Sequence, residues 1–169
     1  MYGFEVRKSE HKDFEAIRSL LIICFGGRTE TDTALEKDVA DGHMMVMTHN
    51  TKIIATVGIV YDNHLKGQKV TCACTHPSYR RAGVMQELLM RAIKELKTEN
   101  KLYCEALRLR GKENANLHTI LLSLGFREIK HNYLVWTTHN CRVAAGFSCV
   151  NQCDNSRYCE CYEDLWVYD

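Results

Sequence analysis

Thr75-His76-Pro77-Ser78-Tyr79-Arg80-Arg81-Ala82-Gly83-Val84-Met85-Gln86-Glu87-Leu88-Leu89 is the stretch whose reading decides the fold. Before it, Val70 to Cys74 is an apolar run with the character of a buried strand. After it, Met85, Leu88, Leu89, Ala92, Ile93 and Leu96 recur at three- and four-residue spacing, which predicts an amphipathic helix. The first turn of a helix leaves backbone N–H groups unpaired at the positive end of its dipole, and Gly83 lets a ligand approach that backbone closely. Arg80 and Arg81 add fixed positive charge, so the expectation is an anion cradle suited to a pyrophosphate. The plainer alternative is a strand-to-helix turn carrying two solvated arginines.

The Arg80-x-x-Gly83-x-Met85 loop after a His-Pro step resembles the coenzyme A signature of the GNAT superfamily of acetyl-coenzyme A-dependent N-acyltransferases. Arg80 and Gly83 match that pattern, while Met85 stands where Gly or Ala is usual and narrows the pocket under the phosphates. A second echo lies in Asn114 to Phe126, where Asn114, Leu121, Leu124, Gly125 and Phe126 fall on the family's Asn, Tyr and Leu-Gly-Phe positions. The resemblance implies a cofactor-binding set of Cys74, Thr75, Arg80, Arg81, Ala82, Gly83, Val84, Met85, Gln86 and Asn114. Asn114 also reads as a helix N-cap. It further implies a Tyr that reprotonates the coenzyme A thiolate, but Leu121 holds that place and donates no proton. His118, Tyr103 or a water is left for the role.

Acyl transfer to an amine needs a neutral amine, a polarised carbonyl and an acceptor for the shed proton. A backbone N–H near Cys74 or Thr75 is the expected polarising group. Glu105, between Cys104 and Ala106, is the first candidate base, because a carboxylate in an apolar strand invites a raised pKa. Strand alternation equally well turns Glu105 to solvent or to an arginine. His76 is read as structural, and His43, His49 and His64 as solvated residues of strand ends or turns.

Taken in order, the chain predicts a strand over Tyr2–Arg7 and a helix bearing Phe14, Ile17, Leu20, Leu21 and Cys24 that stops at Gly26-Gly27. A short helix with Leu35 and Val39 follows, then strands His43–His49 and Ile53–Tyr61 joined through Asn50-Thr51. Asp62-Asn63-His64 and Gly67 form a turn into the strand that delivers the Arg-Arg loop. Beyond the long helix come a strand over Leu102–Leu109, a helix from Lys112 to Ser123 and a strand over Phe126–Thr137. The order β-α-α-β-β-β-α-β-α-β is α/β with a mixed, mostly antiparallel sheet flanked by helices, and it is the order that the GNAT fold implies over about residues 1–139.

Residues 140–169 form a cysteine-rich tail of the same domain. Cys149, Cys153, Cys159 and Cys161 lack the paired Cys-x-x-Cys spacing but are dense enough to hold a structural zinc, against buried reduced thiols or a redox-labile pair. Tyr158–Tyr168 reads as a last strand pairing with Phe126–Thr137, the loop between them lying on the acceptor side of the cleft. The nine cysteines are an odd number, so internal disulfides cannot use them all. With 46% hydrophobic and 25% charged residues in 169, one globular domain is expected. A net charge of +1, from 22 basic and 21 acidic residues, argues against nucleic acid or an anionic membrane as partner. No apolar run spans a bilayer and the first residues are not a secretory signal, so a cytoplasmic protein is expected. The functional expectation is an acetyl-CoA-dependent N-acetyltransferase acting on a small-molecule or protein primary amine by direct attack in a ternary complex. The alternative is a non-catalytic acyl-CoA-binding or regulatory domain with a structural metal. Dimerisation is common in the resembling family and is not written in this sequence.

Overall fold

The computed structural model describes residues 3–25, 32–99, 101–109, 116–136 and 161–169. They build a seven-stranded sheet in the order β1-β2-β3-β4-β5-β7-β6, with helices on both faces. β1 (Phe4–Lys8), β2 (Met44–His49), β3 (Lys52–Asp62) and β4 (Gly67–Thr75) form an antiparallel meander. Asn50 and Thr51 both take positive φ, 50° and 68°, which matches the twist of a two-residue hairpin between β2 and β3. At the next turn Asp62 Oδ1 accepts the backbone N–H groups of His64 and Leu65 at 2.8 and 3.0 Å. Both turns stand where the polar residues predict them.

β5 (Leu102–Leu109) lies parallel to β4, but the two pair only at Gln68–Leu102 and Lys69–Tyr103 and then diverge. That leaves one edge of β4, from Val70 onward, without a ladder partner in β5. β7 (Cys161–Tyr168) lies antiparallel between β5 and β6 (Arg127–Trp136). The sequence reading pairs the last strand with β6 alone; its apolar Leu165-Trp166-Val167 run is what an interior strand requires, and all three are buried.

α1 (Phe14–Phe25) and α2 (Asp32–Ala40) cover one face, burying Ile17, Leu20, Leu21, Cys24, Leu35 and Val39 against Met44, Val46 and Cys74. α3 (Val84–Leu96) covers the other, with Leu88, Leu89 and Ala92 wholly buried against Met45, Val57 and Ile59. Met44 to Met47 are all buried, because β2 has a helical layer on each side and successive side chains point to opposite faces. α4 (Asn116–Ser123) brings Leu121 into the α3 core and stops at Gly125, whose φ of 89° suits glycine. The predicted stop of α1 at Gly26-Gly27, the first turn of the predicted helix from Lys112 and the start of the predicted last strand at Tyr158 lie outside the described residues.

The end of α3 is tied to the sheet by one buried side chain. Gln68 donates from Nε2 to Leu96 O at 2.9 Å, and its Oε1 accepts the N–H groups of Thr98 and Glu99 at 2.7 and 3.0 Å. Those carbonyl and amide groups have no helical partner past the last turn, so Gln68 stands in for one. It thereby fixes α3 where β4 and β5 separate.

Candidate active site

The loop before α3 is built as a rigid shelf. His76 N–H donates to Ile54 O at 2.8 Å, Pro77–Tyr79 forms a single 3-10 turn, and His76 Nδ1 accepts from Ser78 N–H at 3.3 Å. The Tyr79 ring meets Phe4, His49 and His76 edge-on, and its hydroxyl bonds His49 Nδ1 at 3.0 Å. His49 also stacks on Phe4 at 4.6 Å, so it is a structural residue rather than the solvated one its strand-end position suggests. Arg80 donates from Nε to Thr75 O at 3.3 Å, which holds the guanidinium beside the end of β4.

Arg81 and Gly83 both take positive φ, 66° and 74°. Gly83 is the N-cap of α3, and a Cβ placed on it meets nothing within 4 Å. The space beside Gly83 is therefore open, and the glycine is required by its backbone angle rather than by crowding. The first intrahelical bond runs from Glu87 N to Gly83 O, so the N–H groups of Val84, Met85 and Gln86 precede the helical ladder. Buried Val84 pins this end of the helix to the core. The result is a fixed fan of donors at the positive end of a 13-residue helix.

These donors open on a cavity of 510 Å³ walled by the ends of α1 and β4, the Arg80–Gln86 loop and α4. Thr75 Oγ1 is buried in this wall without a hydrogen-bond partner. A buried hydroxyl left unpaired is costly, so a polar ligand group at that point is favoured. Beside it, Cys24 Sγ donates to Thr75 O at 3.4 Å. The Cys74 thiol, hydrogen-bonded to Cys24, lowers the Cys24 pKa to about 7, with the Arg80 charge assisting against burial. Cys74 moves the other way, pushed up by the same partner and by its own burial. An acyl thioester with a pyrophosphate fits this site. Its anionic end matches the helix donors and Arg80, and an extended amide arm can use the free edge of β4.

Of the residues read from sequence, Cys74, Thr75, Arg80, Arg81, Gly83, Val84, Met85 and Gln86 all line this cavity, with exposed Ala82 in the loop among them. Gln86 Nε2 also reaches Ser123 Oγ at 3.2 Å, joining α3 to α4. Met85 packs against the main core from its place on the wall. Asn114 lies outside the described residues, as do Cys149, Cys153 and Cys159; Cys161 is in β7, its side chain outside those described. Glu105 and His118 are not among the cavity-lining residues. Glu105 is paired with Lys69 Nζ at 2.6 Å, and Asp62 lies 3.8 Å from the same ammonium. His118 lies against Trp166, ring centroids 5.2 Å apart, with Nε2 at 3.4 Å from Asp164 Oδ2. Cys24 and Thr119 reach the wall although the sequence reading gave them no role there. Cys24 falls on the apolar stripe of α1, where its spacing marks only core.

A family model described as acetyltransferase (GNAT) domain matches residues 5–104, more than half of the 169. No curated protein matches the chain in sequence. Among solved structures, a GNAT-family acetyltransferase from Bacillus cereus superposes with a TM-score of 0.65 at 13% identity, over 98% of this chain and 96% of its own. The ribosomal-protein-S18-alanine N-acetyltransferase of Escherichia coli gives 0.65 at 17% identity, over 97% and 92%. The diaminobutyrate acetyltransferase EctA of Paenibacillus lautus, solved with L-2,4-diaminobutyric acid and coenzyme A, gives 0.63 at 13% identity, over 97% and 93%. At such identities the superpositions speak for a shared fold, and the family match carries the assignment: this chain belongs to the GNAT acetyltransferase family.

Proposed function

We propose that the protein transfers an acetyl group from acetyl-CoA to a primary amine by direct attack within a ternary complex. One observation carries the reading: the donor fan at Gly83, with open space where a Cβ would stand, faces the cavity that holds the unpaired Thr75 hydroxyl. In this reading Arg80, Arg81 and the N–H groups of Val84, Met85 and Gln86 hold the diphosphate, and Asn114 belongs to the same set. The unpaired edge of β4 near Cys74 and Thr75 receives the arm and polarises the carbonyl. When bound, acetyl-CoA would supply an activated acyl carbon whose C–S bond is exchanged for the new C–N bond, and coenzyme A would leave as a thiolate that finally takes up the proton shed by the amine.

The amine must lose a proton, and we assign its acceptor to Cys24. Its thiol lies on the wall with a pKa lowered to about 7, whereas Glu105 is held by Lys69 at 2.6 Å and is absent from that wall. The acceptor is a small-molecule or protein amine; we take the chain to act in the cytoplasm, alone or as a homodimer, without nucleic acid or membrane. A structural zinc on Cys149, Cys153, Cys159 and Cys161 would clasp the tail and has no part in the transfer.

Leu121, wholly buried in place of the family's tyrosine, favours a second reading as a non-catalytic acyl-CoA-binding domain. Calorimetric titration with acetyl-CoA followed by a panel of free amino acids, diamines and peptide N-termini separates the two. Binding with turnover on any acceptor supports the enzyme, and binding without turnover on all of them supports the second reading. Gly83→Glu, which puts a carboxylate into the donor fan, is expected to weaken acetyl-CoA at least about tenfold, or 1.4 kcal/mol. Unchanged affinity in that variant defeats both.

A further inference from the structure

Away from the cavity wall, the irregular part of β6 wraps around one carboxylate. Asp164, on the interior strand β7, has no exposed surface at all. The pairing of β6 with β7 slips twice, between Glu128 and Lys130 and again before Leu134, and Asn132 takes a φ of 51°. This excursion brings the Asn132 N–H to Asp164 Oδ1 at 2.8 Å. It also brings His131 Nδ1 to 3.3 Å from the same oxygen and 2.8 Å from Glu128 Oε1. From α4, His118 Nε2 reaches 3.4 Å from Asp164 Oδ2, yet this buried nitrogen makes no hydrogen bond.

We infer that Glu128, His131 and Asp164, with water completing the shell, form a binding site for a zinc-class divalent transition-metal ion. The donor atoms of the first three residues lie within 4.8 Å of one another, a spread that a single ion can span. Two carboxylates face one imidazole nitrogen, and one N–H proton there cannot serve both oxygens well. A dication there balances the two negative charges that converge on this nitrogen and converts His131 into a ligand through its lone pair. One imidazole and two carboxylates are a nitrogen–oxygen set suited to zinc or its neighbours; magnesium and calcium require six or more oxygens, mostly from carboxylate, carbonyl or water. The ion would clip the irregular part of β6 to β7. This inference does not rest on the transfer reaction.

The test uses the full chain stripped with a chelator, then titrated with Zn²⁺ or Co²⁺ alone. We expect saturating Zn²⁺ to raise Tm by about 5 °C or more. Co²⁺ should give weak visible d–d bands that persist when Cys149, Cys153, Cys159 and Cys161 are replaced by serine and so owe nothing to thiolate. His131 is exposed, so His131→Ala leaves the core intact; it should abolish the bands and weaken Zn²⁺ at least about tenfold. Glu128→Gln should act in the same direction. The inference is overturned if neither ion changes Tm or spectrum, or if metal binding is unchanged in His131→Ala and carries the thiolate band of the tail cysteines instead.

Discussion

Cys24 illustrates how a residue's chemistry is set by neighbours that are distant in the chain. Its thiol shares a hydrogen bond with Cys74 and lies near Arg80, and its pKa falls to about 7, whereas burial pushes Cys104 up to about 12. Only the thiolate is a nucleophile, so alkylation by iodoacetamide near neutral pH is expected at Cys24 long before Cys104, with the rate rising as pH increases through about 7. Acetyl-CoA should protect Cys24, since both use the same cavity. If Cys24 accepts the amine's proton, the acidic limb of kcat/KM follows the same ionisation, and Cys24→Ser moves that limb to higher pH. Peptide mapping that finds Cys24 no more reactive than Cys104 contradicts the first expectation, and an unmoved limb the second. At this scale the sequence is legible where function is local: Arg80 and Gly83 read correctly as a loop because a helix start and a positive φ are properties of a few adjacent residues. Glu105, the candidate base, and His118, the candidate proton donor, do not line the cavity, and what holds them where they are is distant in sequence: Lys69 for Glu105 and Asp164 for His118.

Elements report on pH through their joints. Arg7 at the end of β1 grips Asp13 with two bonds of 2.6 and 2.9 Å, and Asp13 Oδ2 also accepts the Glu10 N–H at 2.8 Å, so strand and first helix are joined by one carboxylate. The Arg7 hydrogen bonds hold the Asp13 carboxyl below its ordinary 3.8, more than burial raises it. A depressed folded pKa means the contribution is complete above the unfolded value and is lost as pH falls through the lower, folded one. Asp13→Asn should therefore cost about 1–3 kcal/mol in urea unfolding at pH 7, and this gap should narrow as pH falls below about 4. A gap of the same size at about pH 3 would mean that the charge is irrelevant to the joint. Element positions were readable from periodicity and turn residues throughout this half of the chain. The double slip of β6 was not, because Asn132 adopts its positive φ to answer a buried carboxylate 32 residues further on.

For the molecule as a whole, the decisive feature is that the last strand is an inner one. β7 hydrogen-bonds to both β5 and β6, and without it the sheet would end at β5, leaving β6 and the core residues beneath it unsupported. Sequence shows that Leu165-Trp166-Val167 wants burial, but neighbour choice depends on a chain reversal that no local pattern encodes. Removing residues 161–169 withdraws three large buried side chains, each worth about 1.5–3 kcal/mol, and opens two strand edges at once. That loss rivals the whole stability of an ordinary domain, about 5–15 kcal/mol. We therefore expect the truncated chain to show no cooperative thermal transition, to aggregate through its open edges and to give no Tm response to acetyl-CoA, although every residue of the Arg80–Gln86 loop is still present. Trp166→Ala, which keeps the strand, should cost about 3–5 kcal/mol and retain a lowered but cooperative transition. A truncated chain that melts cooperatively and is still stabilised by acetyl-CoA would show that β1 to β5 with α3 hold the cofactor site unaided, and that β7 serves only the far side of the sheet.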